Sequence, residues 1–205
     1  MSKDDLEQLA AIVKDTNIFI VSDEVYEHII FDGHNHWSPI RHPELHKRTF
    51  VCGSFGKTFH VTGWKVGYCL APQQLSEEFR KVHLWLTFST VTPIQYALAE
   101  FLQEPDNYLS VSQFYQEKRD KFIACIQGSR FEWIPASGSF FQCVNYANIT
   151  DENDLALAQR LTKEIGVAEA GGVGVAVVGV DTNAEGLGAL VEQAVGAVAV
   201  DVMGP

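Results

Sequence analysis

The chain has 205 residues, 46% of them hydrophobic and 20% charged, enough length and apolar content for one good core or two small ones. A formal net charge of -11 argues against nucleic acid and anionic membrane surfaces, because 15 Lys and Arg are too few and too scattered to neutralise a phosphate lattice. Cys52, Cys69, Cys125 and Cys143 have no CxxC spacing and the N-terminus carries no leader pattern. Structural thiols in a reducing cytoplasm are therefore expected, and no apolar run of about 18 residues predicts a membrane span.

In chain order, Ser2 with Asp5 resembles a capping box, and Leu6, Leu9, Ala10 and Val13 then share a face, which predicts an amphipathic helix over residues 3–15. Ile18 to Val21 has the length and β-branching of a buried strand, ending in Ser22, Asp23 and Glu24. In α/β proteins ligands gather at such carboxyl ends. A second strand, near Thr49 to Cys52, runs into a glycine-bearing loop, and a third is predicted from about Trp64 to Leu70, so that the pattern is a layered α/β sheet. Helical periodicity follows over Ser76 to Leu86, Pro93 to Leu102 and Tyr108 to Ile126, the last long enough to connect two domains.

The stretches "RFEWIP" and "SGSFFQCVNY" read as two strands, and Asp151 to Ile165 as a helix capped by Thr150 or Asp151. From Glu164 to Pro205 there are six acids and no Lys or Arg while Gly, Ala and Val dominate, so a boundary is expected near residue 165. Beyond it, Gly174 to Val180 is expected to form a strand, and Leu187, Leu190, Val191, Ala194, Val195 and Val198 to share a helix face. "GGVGVAVVG" lacks GxGxxG and GK[ST], which favours a glycine-rich strand over a phosphate loop.

The chemistry concentrates in "GSFGKTFHVTGWKVGY", Gly53 to Tyr68. An isolated Gly-Lys pair is most simply a solvated loop. Here, however, Ser54, Thr58 and Thr62 offer hydroxyls, Gly53, Gly56 and Gly63 let backbone amides approach an anion, and Lys65 adds a second positive charge beside Lys57. That set suits a phosphate next to a reactive amine. Asp23, 34 residues before Lys57, closes its strand with Tyr26 just beyond. A carboxylate able to hold a proton on a pyridine nitrogen, a phenol able to donate to an oxyanion and a lysine able to form an imine are the requirements of pyridoxal phosphate chemistry. Taken singly, Asp23 is as well read as a helix cap, Tyr26 and Trp64 as core aromatics and Lys65 as a surface charge; the joint pattern favours the site. His34 with His36 and His42 with His46 lack a carboxylate or cysteine at matching spacing, so no metal is expected.

"SDEVYEHIIF" followed by "SFGKTFHVTGWKVGY" resembles the fold-type I, class I/II aminotransferases. "HPELHKRTFVCGSFGKTFHVTGWKVGYCLAP" and "FRKVHLWLTFSTVTPIQYALAEFL" are most similar to the methionine and kynurenine aminotransferase branch, the resemblance covering roughly residues 3–165. It implies Lys57 as the lysine that forms the imine with pyridoxal 5'-phosphate and moves the substrate's proton. Asp23 would pair with the pyridinium nitrogen, Tyr26 would hydrogen-bond the ring's phenolic oxygen, and Ser54 and Lys65 would bind the phosphate. The implied fold is α/β: residues 1–104 a partial large domain of a fold-type I transferase, three layers α/β/α, and residues 105–205 a small α+β C-terminal domain, atypical from about 165.

The implied function is transfer of an amino group from a methionine-like or aromatic amino acid to a 2-oxo acid, in a cytoplasmic homodimer. Two departures qualify it. The family's "NPTG" segment and the strands before it have no counterpart here, and after Arg160 no arginine remains to clamp the substrate carboxylate. A truncated chain with impaired activity is therefore expected. The alternative is a non-catalytic remnant kept as a dimerisation or interaction module.

Overall fold

The computed structural model describes residues 1–164 and the backbone of residues 170–172 and 175–179. It divides into two compact units, Met1–Val111 and Ser112–Pro205.

The first unit opens with helix α1, Lys3–Val13, whose Ser2 and Asp5 form the reciprocal capping box that their spacing implied: Asp5 N donates to Ser2 Oγ at 3.1 Å and Ser2 N to Asp5 Oδ2 at 2.6 Å. Its apolar face, Leu6, Ala10 and Val13, closes on Leu45 of the short helix α2, Pro43–His46, with Leu9, Ile20 and Trp37 packed around them. Leu45 is fully buried, which by area alone stabilises the unit by about 2 kcal/mol. Strands β1, Ile20–Asp23, β2, Thr49–Ser54, and β3, Gly67–Leu70, form a sheet in the order β1-β2-β3. The first pair is parallel and the second antiparallel. Arg48 ties sheet to helix, its Nη1 donating to the carbonyls of Val13, Thr16 and Ile18 at 2.9, 2.8 and 3.2 Å. These carbonyls lie where α1 ends, so a cation also complements the helix dipole.

The single-turn helix α3, Phe55–Thr58, follows β2 directly, and α4, Gln73–Leu86, α5, Thr92–Phe101, and α6, Asp106–Leu109, complete the unit. Helix α7, Val111–Ile126, starts at the last residue of the first unit and otherwise belongs to the second, where it precedes β4, Glu132–Trp133, β5, Phe141–Asn145, α8, Asp154–Glu164, β6, Ala170–Gly172, and β7, Val175–Gly179. The sheet of this unit has the order β4-β5-β7-β6 with every pairing antiparallel. Among the described residues, Phe122, Ile126, Val144, Leu157 and Leu161 are buried in the unit, together with Phe131 and Tyr146. Among the described residues no helix is long and apolar enough to cross a membrane.

Several sequence expectations need correction. The strand expected over Ile18 to Val21 begins at Ile20 and is not buried: Ile18, Phe19 and Val21 are 51%, 61% and 71% exposed, because only Ile20 turns toward the α1 core. The strand expected from Trp64 begins at Gly67 instead, since Lys65 at φ 55° is left-handed and Thr62–Trp64 coil into a 3-10 turn. The helix expected over Tyr108 to Ile126 is broken at Ser110, whose hydroxyl donates to the Asp106 carbonyl at 2.6 Å. Asn153, rather than Thr150 or Asp151, caps α8, its Oδ1 accepting from Ala156 N at 2.9 Å. Past residue 165, β7 forms where a glycine-rich strand was expected and pairs with β5, so the change in composition does not end the sheet. The helix expected over residues 187–198 lies outside the described residues.

Gly67, opposite Ser54 in the β2–β3 pair, has no space for a side chain. A Cβ there would lie 2.6 Å from the Gly53 carbonyl oxygen, a backbone atom that can yield only by parting the strands, whereas Gly63 faces open space. Gly67→Ala should therefore cost about 1–3 kcal/mol, and Gly63→Ala well under about 1 kcal/mol. Paired urea titrations will read this as a lowered midpoint for the first variant and a near-unchanged one for the second.

Candidate active site

Asp23 is the last residue of β1, and its Oδ1 accepts from Val25 N at 3.3 Å, which turns the chain sharply at the end of the strand. Tyr26 sits half-buried within that turn, its carbonyl accepting from Ile29 N at 2.8 Å. The parallel register sets Asp23 beside Cys52, and Glu24 N extends the pairing by donating to the Cys52 carbonyl at 2.8 Å. Ser54, two residues beyond Cys52, closes β2 at the same edge. Lys57 lies one turn further on, half-buried in α3.

The loop after β2 is shaped by small residues and aromatic contacts. Ser54 Oγ accepts from Gly56 N at 3.1 Å and starts α3. The Gly56 carbonyl then receives both Val61 N, at 2.9 Å, and Thr62 Oγ1, at 3.1 Å, which folds the segment back on itself. Gly53 packs against the Tyr68 ring so closely that a Cβ would fall within it. Phe55 tilts over Tyr68 with centroids 5.4 Å apart, and Phe59 meets Phe101 edge-on at 5.1 Å. His60 and Lys65 both hold positive φ, 56° and 55°, outside glycine. Two such residues on one short loop cost free energy and persist because the surrounding contacts fix them, a pattern found at ligand sites. Phe55 N donates to Val66 O at 3.3 Å, so Lys65, exposed, returns to the edge that carries Ser54. Asp23, Ser54, Lys57 and Lys65 thus converge on the carboxyl edge of the parallel pair, with Tyr26 in the adjoining turn.

One group at this edge was not singled out from the sequence. Glu24, only 6% exposed, receives Ser38 Oγ at 2.7 Å on Oε1, while His36 Nε2 lies 2.6 Å from Oε2. Burial alone would push its carboxyl up, but hydrogen bonds from His36, Ser38 and Ser22 outweigh that and hold it below the usual carboxylate range. Glu27 accepts from the Tyr68 hydroxyl nearby, and burial pushes His28 down from its ordinary value. The partners lie 12 and 14 residues from Glu24 in a segment without regular periodicity, so only its position beside Asp23 could have flagged it. Ligand atoms of Glu24, Glu27 and His36 lie within 4.8 Å of one another, a grouping that histidine spacing did not suggest. The oxygens of Glu24 are engaged by His36 and Ser38, as a hydrogen-bonded network requires.

With this geometry in hand, similarity to known proteins is decisive. Residues 1–177 match the family Aminotransferase class I and II. This chain belongs to that family. It is 49% identical over 152 residues to the methionine aminotransferase of Escherichia coli, covering 74% of this chain and 39% of that protein. It is 34% identical over 148 residues to human kynurenine–oxoglutarate transaminase 1, covering 68% and 35% of the two.

The crystal structure of an Escherichia coli protein identified as a methionine aminotransferase superposes with a TM-score of 0.86 at 39% identity, covering 94% of this chain and 54% of that one. An aromatic aminotransferase from Pyrococcus horikoshii gives 0.82 at 25% identity over 96% and 54%. The fold is the α/β fold-type I arrangement of these enzymes, of which the chain spans about two fifths to one half. The match reaches residue 177, beyond the boundary near 165 suggested by composition. The family depends on pyridoxal 5'-phosphate. The donor set here fits that group chemically: a carboxylate at the end of β1 and a phenol in the turn after it, and a hydroxyl and two ammonium groups at the end of β2 and in the loop that follows.

The Glu24 carboxyl and the His28 imidazole are both depressed on folding, so each contributes stability that is present above its unfolded pKa and is lost as pH falls through the folded value. Stability should accordingly decline on acidification from about pH 7, first through the histidine range and then below the ordinary carboxylate range. Glu24→Ala should cost about 2–3 kcal/mol at neutral pH, because it leaves the Ser38 hydroxyl without its charged acceptor. It should also flatten the lower part of the pH profile, as measured by urea midpoints across the range.

Proposed function

We propose that this chain is a cofactor-binding portion of an aminotransferase that moves an amino group from a methionine-like or aromatic amino acid to a 2-oxo acid. The observation that carries this reading is the convergence of Asp23, Ser54, Lys57 and Lys65 on the carboxyl edge of β1 and β2, in a chain that belongs to the aminotransferase family. Lys57 Nζ is the amine that holds pyridoxal 5'-phosphate covalently and takes and returns the proton at the substrate's α carbon. The Asp23 carboxylate would keep the ring nitrogen protonated, and the Tyr26 hydroxyl would donate to the ring's phenolic oxygen. Ser54 and Lys65 bind the phosphate, a hydroxyl and an ammonium meeting an anion at the end of a strand. When bound, the cofactor supplies the electron sink that stabilises a carbanion at that carbon.

The substrate class is supported by the relatives whose names specify methionine and kynurenine. In this reading residues 1–104 belong to the large, cofactor-binding domain and residues 105–205 to the small one. The working form is a cytoplasmic homodimer acting on small amino and oxo acids.

The test is to add pyridoxal 5'-phosphate to the purified chain, reduce with borohydride and map the pyridoxyl group by mass spectrometry. Stoichiometric labelling of Lys57 is expected, with none at that position in Lys57→Ala. Asp23→Asn, which keeps shape but removes the charge facing the ring nitrogen, should weaken cofactor affinity about tenfold or more. Random labelling of surface lysines, equal in Lys57→Ala, would sink the assignment.

A further inference from the structure

Cys52 and Cys69 stand directly opposite each other in the antiparallel pair of β2 and β3. Opposed residues in such a pair alternate between hydrogen-bonded and non-hydrogen-bonded positions. The Phe55 N to Val66 O bond fixes the phase, because it marks Phe55 and Val66 as a bonded pair. Counting inward, Ser54 with Gly67 is non-bonded, Gly53 with Tyr68 is bonded and Cys52 with Cys69 is non-bonded. Non-bonded pairs bring their Cα atoms to about 4.5 Å with the side chains at their closest. A disulfide spans Cα separations of about 4.4–6.8 Å, so the strands need not move apart or slip to accommodate one.

The surroundings agree with the register. Both thiols are free and half-buried. In keeping with that register, the Cys69 thiol is pushed up, first by burial and then by the nearby Cys52. Asp23 is in register with Cys52, so Asp23, Cys52 and Cys69 form one row across a single face of the sheet. The remaining cysteines, Cys125 in α7 and Cys143 in β5, belong to the other compact unit.

We propose that Cys52 and Cys69 are a redox modification site that closes to a reversible cross-strand disulfide in the presence of a low-molecular-weight disulfide. The thiolate of one cysteine attacks the oxidant's sulfur–sulfur bond and releases one small thiol. The thiolate of the other then attacks the protein sulfur of the mixed disulfide and releases the second. Two protein S–H bonds are lost and one S–S bond forms, while the oxidant takes up two electrons and two protons as two small thiols. The inference stands on strand register and does not rest on the cofactor reading.

The experiment treats the folded, full-length chain with oxidised glutathione, blocks residual thiols with iodoacetamide and digests without reduction. Trypsin cuts after Lys57 and Lys65, so Cys52 and Cys69 fall in separate peptides that only a disulfide joins. The expected result is one linked pair carrying these two cysteines, with Cys125 and Cys143 alkylated. Titratable thiols of the unfolded product should fall to half their number and be restored by dithiothreitol. Cys52→Ser and Cys69→Ser, near-isosteric changes, should each abolish the linked pair while far-UV circular dichroism is unchanged. Alkylation of both cysteines in the treated folded chain, glutathione retained on either without closure, or a linked pair obtained only after unfolding in urea would each overturn the proposal.

Discussion

The parallel register of β1 and β2 is the constraint on which the site depends. It sets Asp23 beside Cys52, and with it the carboxylate and the Ser54–Lys57 turn at one edge. Slippage by one residue would turn Asp23 to the opposite face and expose Ile20, and the α1 core resists that because Ile20 packs against Leu6, Ala10, Val13 and Leu45. Arg48 reinforces the register from the other end, since three carbonyls around the end of α1 converge on its guanidinium. A parallel pair needs a long crossover. Here residues 24–48 make it, and their buried members Ile29, Phe31, Pro39 and Leu45 show that the connection is packed.

The crossover also carries the charged network at Glu24. A buried carboxylate is costly unless its oxygens are satisfied. His36 and Ser38 meet that requirement from within the same crossover, so the turn following Asp23 and the return toward β2 are fixed by one group. The two residues flanking the strand end therefore have different work. Asp23, exposed, presents its charge at the edge, while Glu24, buried, holds the backbone that presents it.

On the β2 side, positioning relies on close approach. Gly53 and Gly67 allow Tyr68 and the opposing backbone to lie against the strand, and the aromatic contacts of Phe55 and Phe59 turn the loop back toward β3. Positive φ at His60 and Lys65 is the local cost of that path. The same tight antiparallel pairing makes neighbours of Cys52 and Cys69, which sequence spacing alone would not pair.

Much of this was legible in the sequence because its signals are local. The capping box of α1, the strand that stops at Asp23, the glycine-rich turn before Lys57 and the family resemblance all rest on contiguous residues or short spacings. Burial was not legible. An apolar run such as Ile18 to Val21 looks the same whether one face or two are covered, and only the packing of Ile20 distinguishes them. Nor was the boundary between Trp64 and Gly67, set by a left-handed Lys65 that the loop's contacts hold in place. The sequence by itself determined the identity and order of the candidate site residues, since motif chemistry lives in neighbouring residues. Only the tertiary structure decided which of them share one edge of the sheet and which distant partners satisfy Glu24, because strand register and loop closure join residues far apart in the chain.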